Sequence, residues 1–264
     1  VKFDLNWQAN YSHNIKLGLL GISHDVDQQW RAIRNKYDGE ASLADIYKPE
    51  IFGDTTVYAD IYKVSPQEAA AYIQDKMEFD EMVVNIGIRY DYFDPASVYP
   101  SNRRNPSNQL VYKDTSGVLI DSLMSTYPDA EIIDQISPRI GFAYQLGNEA
   151  VLHFSYGHFF QMPPLYAMYQ NHSFLIPPND HGTTMGNVRL EPEKTITYEI
   201  GLWQELTRGL SLDVALFYRD IYNLLSAQVF STYNQIEYGL YSNKDYGNAR
   251  GLEVKLDMSL GALK

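Results

Sequence analysis

Residues 84–92 read VNIGIRYDY, and apolar and polar side chains alternate along them. Successive side chains of a β-strand point to opposite faces, so this alternation predicts a strand with one apolar and one polar face. Ile86 and Ile88 fall on the apolar face of such a strand, while Arg89 and Asp91 fall on the polar face.

The same period of two recurs along the whole chain. Six further segments show it clearly: residues 1–8, 139–145, 152–157, 196–202, 212–219 and 252–257. Two more, near 13–24 and 68–79, resemble strands but alternate less cleanly, and the alanine-rich start of the second is also compatible with a helix. We therefore expect an all-β fold, an antiparallel meander of about nine strands.

The connections between these segments alternate strictly in length. The short ones lie around residues 10–12, 80–81, 146–149 and 206–209, and the long ones around 25–67, 94–135, 161–194 and 225–242. Outer-membrane barrels show this layout, with tight periplasmic turns and extended extracellular loops, whereas a soluble sandwich with Greek-key links has no reason to keep it. An odd number of antiparallel strands cannot close on itself, so we expect an open curved sheet, part of a large transmembrane β-barrel.

Aromatic residues fall where such a barrel needs them. With the short turns on the periplasmic side, Tyr156 and Tyr218 lie at outer strand ends, and Trp7 and Tyr144 lie at inner ends. Tyrosine and tryptophan favour the boundaries of a bilayer, because the ring is apolar and its polar atom stays hydrated. This placement predicts a bacterial outer-membrane location, with membrane lipid as a partner.

The composition excludes several classes of function. The net charge is −12, which argues against nucleic acid as a partner, because phosphate binding needs clustered Lys and Arg. There is no cysteine, so disulfides and thiolate metal sites are excluded. Neither a nucleophile elbow nor a phosphate loop is found, and His158, the candidate near a barrel rim, has no obvious catalytic partner in the sequence.

Five sequence elements, in order, resemble the barrel of TonB-dependent receptors. They are EAAAYIQDKMEFDEMVVNIGIRYDYFDP (68–95), SPRIGFAYQL (137–146) with VLHFSYGHFFQMPP (151–164), LEPEKTITYEIGL (190–202), DVALFYRDIYNLL (213–225) and YGNARGLEVKLD (246–257). Each element alone is a strand pattern with a few fixed polar residues. Their order and spacing over residues 68–257 carry the resemblance.

The resemblance implies a 22-stranded barrel that is filled by an N-terminal plug. It also implies import of a scarce nutrient, such as a siderophore, a metal chelate, an oligosaccharide or a peptide, with energy from the TonB system. We expect residues 1–264 to be one partial barrel whose ends lie inside the wall, with the plug, the TonB box and the remaining strands absent. The alternatives are a passive porin or structural barrel and, least favoured, a barrel enzyme; a plug and TonB box upstream would discriminate them.

The long connection 161–194 is the candidate ligand-binding segment, because Tyr and His offer both stacking surfaces and hydrogen bonds. Its candidate residues are Tyr166, Tyr169, His172, Asp180 and His181. Methionines and histidines there also allow a soft metal or haem contact, but packing of the loop by its own aromatics and prolines is favoured. The acidic residues Asp121, Asp129, Glu131 and Asp134 allow Ca²⁺ and fit a solvated loop better. We expect no metal, no cofactor and no catalysis.

The polar faces of the strands form a second candidate surface. A shift of one residue would move every charge into lipid, at roughly 2–4 kcal/mol for each Arg or Lys at mid-bilayer. We expect the lumen to be faced by residues that pair across strands or contact the plug, namely Arg89, Asp91, Arg139, Glu199, Asp213, Arg219, Glu253 and Lys255. The lipid side should carry Leu152, Phe154, Ile200, Leu202, Val214 and Leu216.

Overall fold

The computed structural model of the chain describes residues 1–35, 48–177 and 183–259. Its strands are β1 (Lys2–Gln8), β2 (His13–Ser23), β3 (Val26–Arg31), β4 (Ile33–Asn35), β5 (Pro49–Ile51), β6 (Ala59–Val64), β7 (Gln67–Glu78), β8 (Met82–Asp94), β9 (Ile133–Leu146), β10 (Ala150–Gln161), β11 (Thr184–Met185), β12 (Glu193–Thr207), β13 (Leu210–Ser231) and β14 (Glu237–Met258). One short helix, α1 (Leu165–Tyr169), and a 3-10 turn at Asp121–Leu123 lie in the connections. No helix in the described ranges is long and apolar enough to cross a membrane.

Nine long strands form one antiparallel meander. Their order is β1-β2-β7-β8-β9-β10-β12-β13-β14, so each long strand pairs with its neighbour in the sequence, as predicted. The alanine-rich segment that was also compatible with a helix is part of β7, because it pairs continuously with β2 and β8. The small hairpins β3–β6 and β4–β5 lie inside the first long connection.

Two features differ from the expected meander. The two-residue strand β11 adds a parallel pairing to the outer part of β14, with Thr184 opposite Gly239. The prediction of a loop at residues 225–242 is also wrong for most of this range. β13 and β14 continue through it as a long hairpin, with their turn at residues 232–236. The register shifts near Asn223, whose φ is +61°, so the alternation changes phase and hides the continuation of the strand.

The strand register sorts the side chains onto two faces. In one cross-strand row Phe154, Ile200, Leu216 and Leu252 lie side by side, and Ile200 and Leu216 are 48% and 55% exposed. This apolar face carries all six residues predicted for the lipid side. The opposite, polar face carries all eight residues predicted for the lumen, because side chains alternate along each strand. Some charged residues, such as Asp220 and Arg250, share the apolar side by register.

The buried core lies at one end of the sheet rather than under it. The buried hydrophobic side chains among the described residues belong to the long connections and to the strand ends that adjoin them, and most of them form two packed clusters. We call this region the loop cap; it comprises the described parts of connections 24–66, 95–132 and 162–192 together with the outer halves of β13 and β14. Below the cap, few residues of the sheet are buried; most are half-buried or exposed.

Candidate functional site

Helix α1 sits at the centre of the loop cap. Pro164 precedes it with an extended backbone (φ −62°, ψ 139°), and proline suits a helix start because its fixed φ and missing N–H cost nothing there. Ala167, Met168 and Tyr169 are buried on the inner side of the helix. Its other side carries Tyr166, which is 54% exposed. Tyr166 is therefore exposed to solvent, whereas Tyr169 packs inside the cap.

Tyr169 is held by the first two long connections. Its hydroxyl donates a hydrogen bond of 2.8 Å to the carbonyl oxygen of Pro95. Its ring lies 6.2 Å from the ring of Tyr62 on β6. Burial, followed by the nearby charge of Asp94, raises the pKa of Tyr169, so this phenol keeps its proton and donates the hydrogen bond to Pro95.

His172 follows the helix and is enclosed by aromatic rings. The ring centroids of Tyr62 and Phe174 lie 5.7 and 5.8 Å from that of His172. Burial lowers the pKa of His172, and the carboxylate of Asp60 opposes this more weakly. Asp60 also accepts a 3.0 Å hydrogen bond from the backbone N–H of Asn171. At neutral pH, therefore, a neutral imidazole packs between the first and third long connections.

Tyr166 is the candidate ligand residue whose side chain is open to solvent. Its ring meets the ring of Tyr241 edge to face, with centroids 5.9 Å apart. The two tyrosines form an aromatic ledge between α1 and β14. The remaining candidates, Asp180 and His181, lie outside the described residues.

The tip of the β13–β14 hairpin is held by contacts with the second long connection. The hydroxyl of Tyr238 donates a 2.6 Å hydrogen bond to the carbonyl oxygen of Arg103, whose guanidinium lies 5.0 Å from the ring centre of Phe230. Burial raises the pKa of Tyr238 to about 12. Asn102 donates a 3.3 Å hydrogen bond to the hydroxyl of Tyr233 in the turn. These contacts join loops that are more than a hundred residues apart in sequence.

The methionines of the third connection serve the packing of the cap. Met168 and Met185 are 1% exposed and lie in its two apolar clusters. Among the described residues, no group of three His, Asp or Glu side chains converges in a way that could hold a metal ion. The acidic set at residues 121, 129, 131 and 134, which is fully described, thus forms no such group.

The polar face of the sheet lines a cavity of about 1110 Å³. Five of the eight predicted lumen residues line it: Arg89, Asp91, Arg139, Glu199 and Arg219. The other three, Asp213, Glu253 and Lys255, share this face by register but lie nearer the turn end.

The charges of this face fall into two groups. Arg89 makes a two-nitrogen contact with the carboxylate of Asp91, at 2.7 to 2.9 Å. By contrast, Arg139 lies over the ring of Phe159 at 4.7 Å, and Arg219 lies over the ring of Phe217 at 4.9 Å. The N–H donors of a guanidinium point outward in its own plane, so stacking on a ring leaves them free. These two guanidinium groups can therefore still bind a hydrogen-bond acceptor.

Aromatic rings that cover glycines on neighbouring strands were missed by sequence reasoning. A Cβ on Gly18 would lie 2.0 Å from the ring of Tyr72, and a Cβ on Gly251 would lie 2.7 Å from the ring of Phe217. His153 covers Gly201 in the same way. Alternation along the strands already places such glycines on the polar face. Which side chain covers each glycine depends on the strand register, and the register cannot be read from the sequence alone.

His158 lies on the apolar face near the loop end of β10. Its Nε2 is 2.6 Å from the hydroxyl of Tyr156, two residues earlier on the same strand. His158 thus hydrogen-bonds a tyrosine of its own strand, and the two rings meet edge to face with centroids 5.4 Å apart.

The sequence and the fold are similar to those of known proteins. A family model described as TonB dependent receptor-like, β-barrel, matches residues 1–263. No curated protein matches the sequence. Similar solved structures include a mutant of the ferric enterobactin receptor PfeA from Pseudomonas aeruginosa, with 15% identity and a TM-score of 0.61 over 98% of this chain. The siderophore receptor PirA from Acinetobacter baumannii has 16% identity and a TM-score of 0.59, also over 98%.

A third similar structure is the Serratia marcescens hemophore receptor HasR in complex with its hemophore HasA and heme. It has 15% identity and a TM-score of 0.59 over 98% of this chain. At such identities the likeness shows the fold alone. The chain spans 32% of the PfeA chain, 34% of the PirA chain and 38% of the HasR chain, about a third of each receptor.

Proposed function

The chain belongs to the TonB dependent receptor-like β-barrel family, and from this premise we propose that it forms part of the wall and outer loops of an outer-membrane receptor that imports a scarce nutrient. The receptor would be energised by TonB, and its plug and TonB box would lie outside residues 1–264. The nutrient class is a siderophore, a metal chelate, an oligosaccharide or a peptide. The proposal assigns the chain no catalytic role.

The contrast between the two faces of the sheet is the observation that carries this proposal. Leu216 and Leu252 are 55% and 61% exposed on the apolar face, whereas Arg89 and Arg219 line a cavity on the other. A water-soluble protein would cover a continuous aliphatic face of this size. A bilayer covers it without any further protein layer, and the outward apolar band with a polar interior is the pattern of a transmembrane barrel.

We propose further that ligand contact comes from the loop cap, with Tyr166 as the exposed residue of the candidate set. Tyr169 and His172 would support it by fixing α1 and the segment that follows it. Asp180 and His181 remain ligand candidates of the same connection. Two cavities lined by described residues of the cap have volumes of about 30 and 170 Å³, which are too small to enclose such a nutrient. A nutrient would therefore be held between this cap and other parts of the receptor.

The test uses the complete parent receptor in its own cell. Deletion of its gene should abolish uptake of at least one member of a panel of labelled ferric siderophores, heme and oligosaccharides at nanomolar concentration. The same uptake should be lost when TonB is deleted or when an uncoupler collapses the proton gradient. Uptake that persists in both treatments would indicate a passive pore and contradict the proposal.

A further inference from the structure

The apolar face of the sheet changes its side chains toward the loop end. Two residues nearer the loops than the aliphatic row of Leu216, about 7 Å along the strands, lies a row of different character. Its members are Tyr156, Tyr198, Tyr218 and, at its end on β14, Arg250. Tyrosine favours the boundary between hydrocarbon and headgroups, so this tyrosine row marks the edge of the apolar band.

Two cations lie on this face at the tyrosine row and just above it. Arg250 lies beside Tyr218, and Lys194 on β12 lies beside Tyr222, four residues nearer the loops. The Cα atoms of the two cations are two strands and four residues apart, about 17 Å from each other. Within the described part of the chain, neither side chain makes an ion pair or a hydrogen bond. Both cations are therefore available to an outside partner.

Asp220 lies between the two cations by register, on β13, but pairs with neither of them. Its carboxylate instead accepts hydrogen bonds from the hydroxyl of Tyr218, at 2.9 Å, and from the hydroxyl of Tyr246. The ring centroid of Tyr246 lies 5.3 Å from that of Tyr222. These contacts hold Asp220 among tyrosines, and the positive charges on either side of it keep their N–H donors free.

The place of these cations in the fold decides the class of partner. They lie on the outside of the wall, turned away from the cavity of the polar face, and the face below them is aliphatic. In a membrane, long Lys and Arg side chains keep their stems on apolar surface and extend their charged ends to the headgroups. Phosphate is an anion of lipid headgroups, and the fork of a guanidinium matches its oxygens in pairs. The partner that fits is therefore a lipid phosphate rather than a nutrient in the lumen.

We propose that Lys194 and Arg250 form a binding site on the outside of the barrel for a lipid with a phosphorylated headgroup, in the leaflet next to the loops. Each cation binds one phosphate group, and the tyrosine row packs against the first part of the acyl chains. The negative charge of Asp220 between the cations keeps the phosphates apart, which favours a headgroup with two separate phosphates. This inference rests on the part of the proposed function that places the apolar face in a membrane, and it is independent of the nutrient and of TonB.

The experiment measures lipid binding to full-length receptors in detergent by native mass spectrometry at low ionic strength. The probes are a diphosphorylated glycolipid, lipid A, and the same glycolipid with both phosphates removed. The test variant carries Lys194→Gln and Arg250→Gln. The matched control carries Lys113→Gln and Arg208→Gln, which removes one exposed lysine from a loop and one exposed arginine from a short turn.

We expect the test variant to bind the diphosphorylated lipid about 25-fold more weakly than wild type, because each Lys or Arg near anionic lipid contributes about fivefold. The control should bind as wild type does. The dephosphorylated lipid should bind all three receptors equally weakly. The charge-keeping variant with Lys194→Arg and Arg250→Lys should recover most of the affinity, and added salt should reduce the difference between wild type and test variant.

Barrel assembly is checked by the shift in gel mobility on heating, and the single variant Arg250→Gln serves if the double variant fails to assemble. Unchanged affinity in an assembled test variant would overturn the lipid site, as would an equal loss in the control. Displacement of the lipid by inorganic phosphate would indicate a site for a soluble anion and overturn the assignment to a lipid. Lipid binding in detergent needs neither nutrient nor TonB, so failure of the uptake experiment leaves this readout unaffected and the two results stay separable.

Discussion

The hydroxyl of Tyr169 lies 2.8 Å from the carbonyl oxygen of Pro95, and both residues are fully buried. This one hydrogen bond joins α1 in the third long connection to the residue that follows β8. Water cannot replace either partner at that depth, so the pair fixes the position of the helix relative to the barrel wall. The exposed ring of Tyr166 is oriented by the same anchor, since it lies three residues earlier on the helix.

Replacement of Tyr169 by Phe should loosen the loop cap. The change keeps the ring but leaves the buried carbonyl of Pro95 without a partner, at a cost of about 1–3 kcal/mol. Amide exchange in residues 162–177 of the full-length receptor should accelerate by one to two orders of magnitude. Tyr166→Phe is the control, because its hydroxyl has no partner among the described residues, and it should exchange at the wild-type rate. Identical rates in both variants would show that the bond contributes nothing.

Gly186 is expected to tolerate no side chain. A Cβ there would lie 2.7 Å from both the backbone nitrogen of Gln170 and the carbonyl oxygen of Met168, which cannot move without shifting α1. Gly186→Ala should destabilise the cap by about 1–3 kcal/mol, as overpacking does. Gly53→Ala is the matched control in another outer loop, since nothing lies within 4 Å of its Cβ position. Protease cleavage within the cap should increase in the first variant only.

The stability of the cap should depend on pH through His172. Burial lowers the pKa of its folded form below the ordinary value of about 6.5, so below that pH the opened cap binds a proton more readily than the closed one. The closed state is thus fully stable above about pH 6.5 and loses stability as the pH falls towards the folded pKa. Asp60 reduces the effect without reversing it.

The measurement is the fluorescence of a dye attached at Tyr166→Cys, in a receptor otherwise free of accessible thiols. The signal should change between pH 7.5 and 5 as the cap opens. In a second variant that also carries His172→Gln, the change should disappear. A pH response that survives this substitution would assign the transition to other groups.

The two faces of the sheet lead to a paired test at neighbouring positions. Leu216 lies on the apolar face, whereas Ala215 lies on the polar face opposite Glu253. Leu216→Arg should destabilise the barrel in lipid vesicles by roughly 2–4 kcal/mol, as arginine does at mid-bilayer. Ala215→Arg should be nearly neutral, because Glu253 can pair with the new charge. Equal losses of folded receptor in a guanidinium titration would contradict the assignment of the faces.

The sheet could be predicted from sequence because its signal is local. Alternation along β8 or β12 needs only the residues of that strand, and the correct faces follow from it. The hairpin beyond Asn223 could not be predicted, since a positive φ at one residue shifts the register and breaks the pattern. The parallel pairing of Thr184 with Gly239 could not be predicted either, because a two-residue strand is too short to show an alternation of apolar and polar residues.

The candidate site was less predictable, because its contacts are distant in sequence. Residues 161–194 were identified as a loop rich in Tyr and His, but which side chain is exposed depends on partners such as Pro95, 74 residues from Tyr169. The polar face shows the same dependence on distant residues. Lys16, Arg139 and Arg219 lie in one cross-strand row only through pairings between seven strands, and a change of one residue in any pairing would separate them.

The exposed ring of Tyr166 and the partly buried ring of Tyr241 form an aromatic ledge, with ring centroids 5.9 Å apart, and aromatic contacts of this kind contribute about 0.5–1.5 kcal/mol. Tyr166→Ala should therefore weaken surface binding of the nutrient identified by the uptake panel by up to about tenfold. Tyr127→Ala is the matched control, since Tyr127 is also a partly exposed loop tyrosine but stacks on Phe174 instead. It should bind as wild type does.

Binding is measured at the cell surface with transport blocked by an uncoupler, after folded receptor has been quantified. Unchanged affinity in Tyr166→Ala would place the contact on other loops or on the plug, and a loss shared by both variants would indicate a general disturbance of the cap.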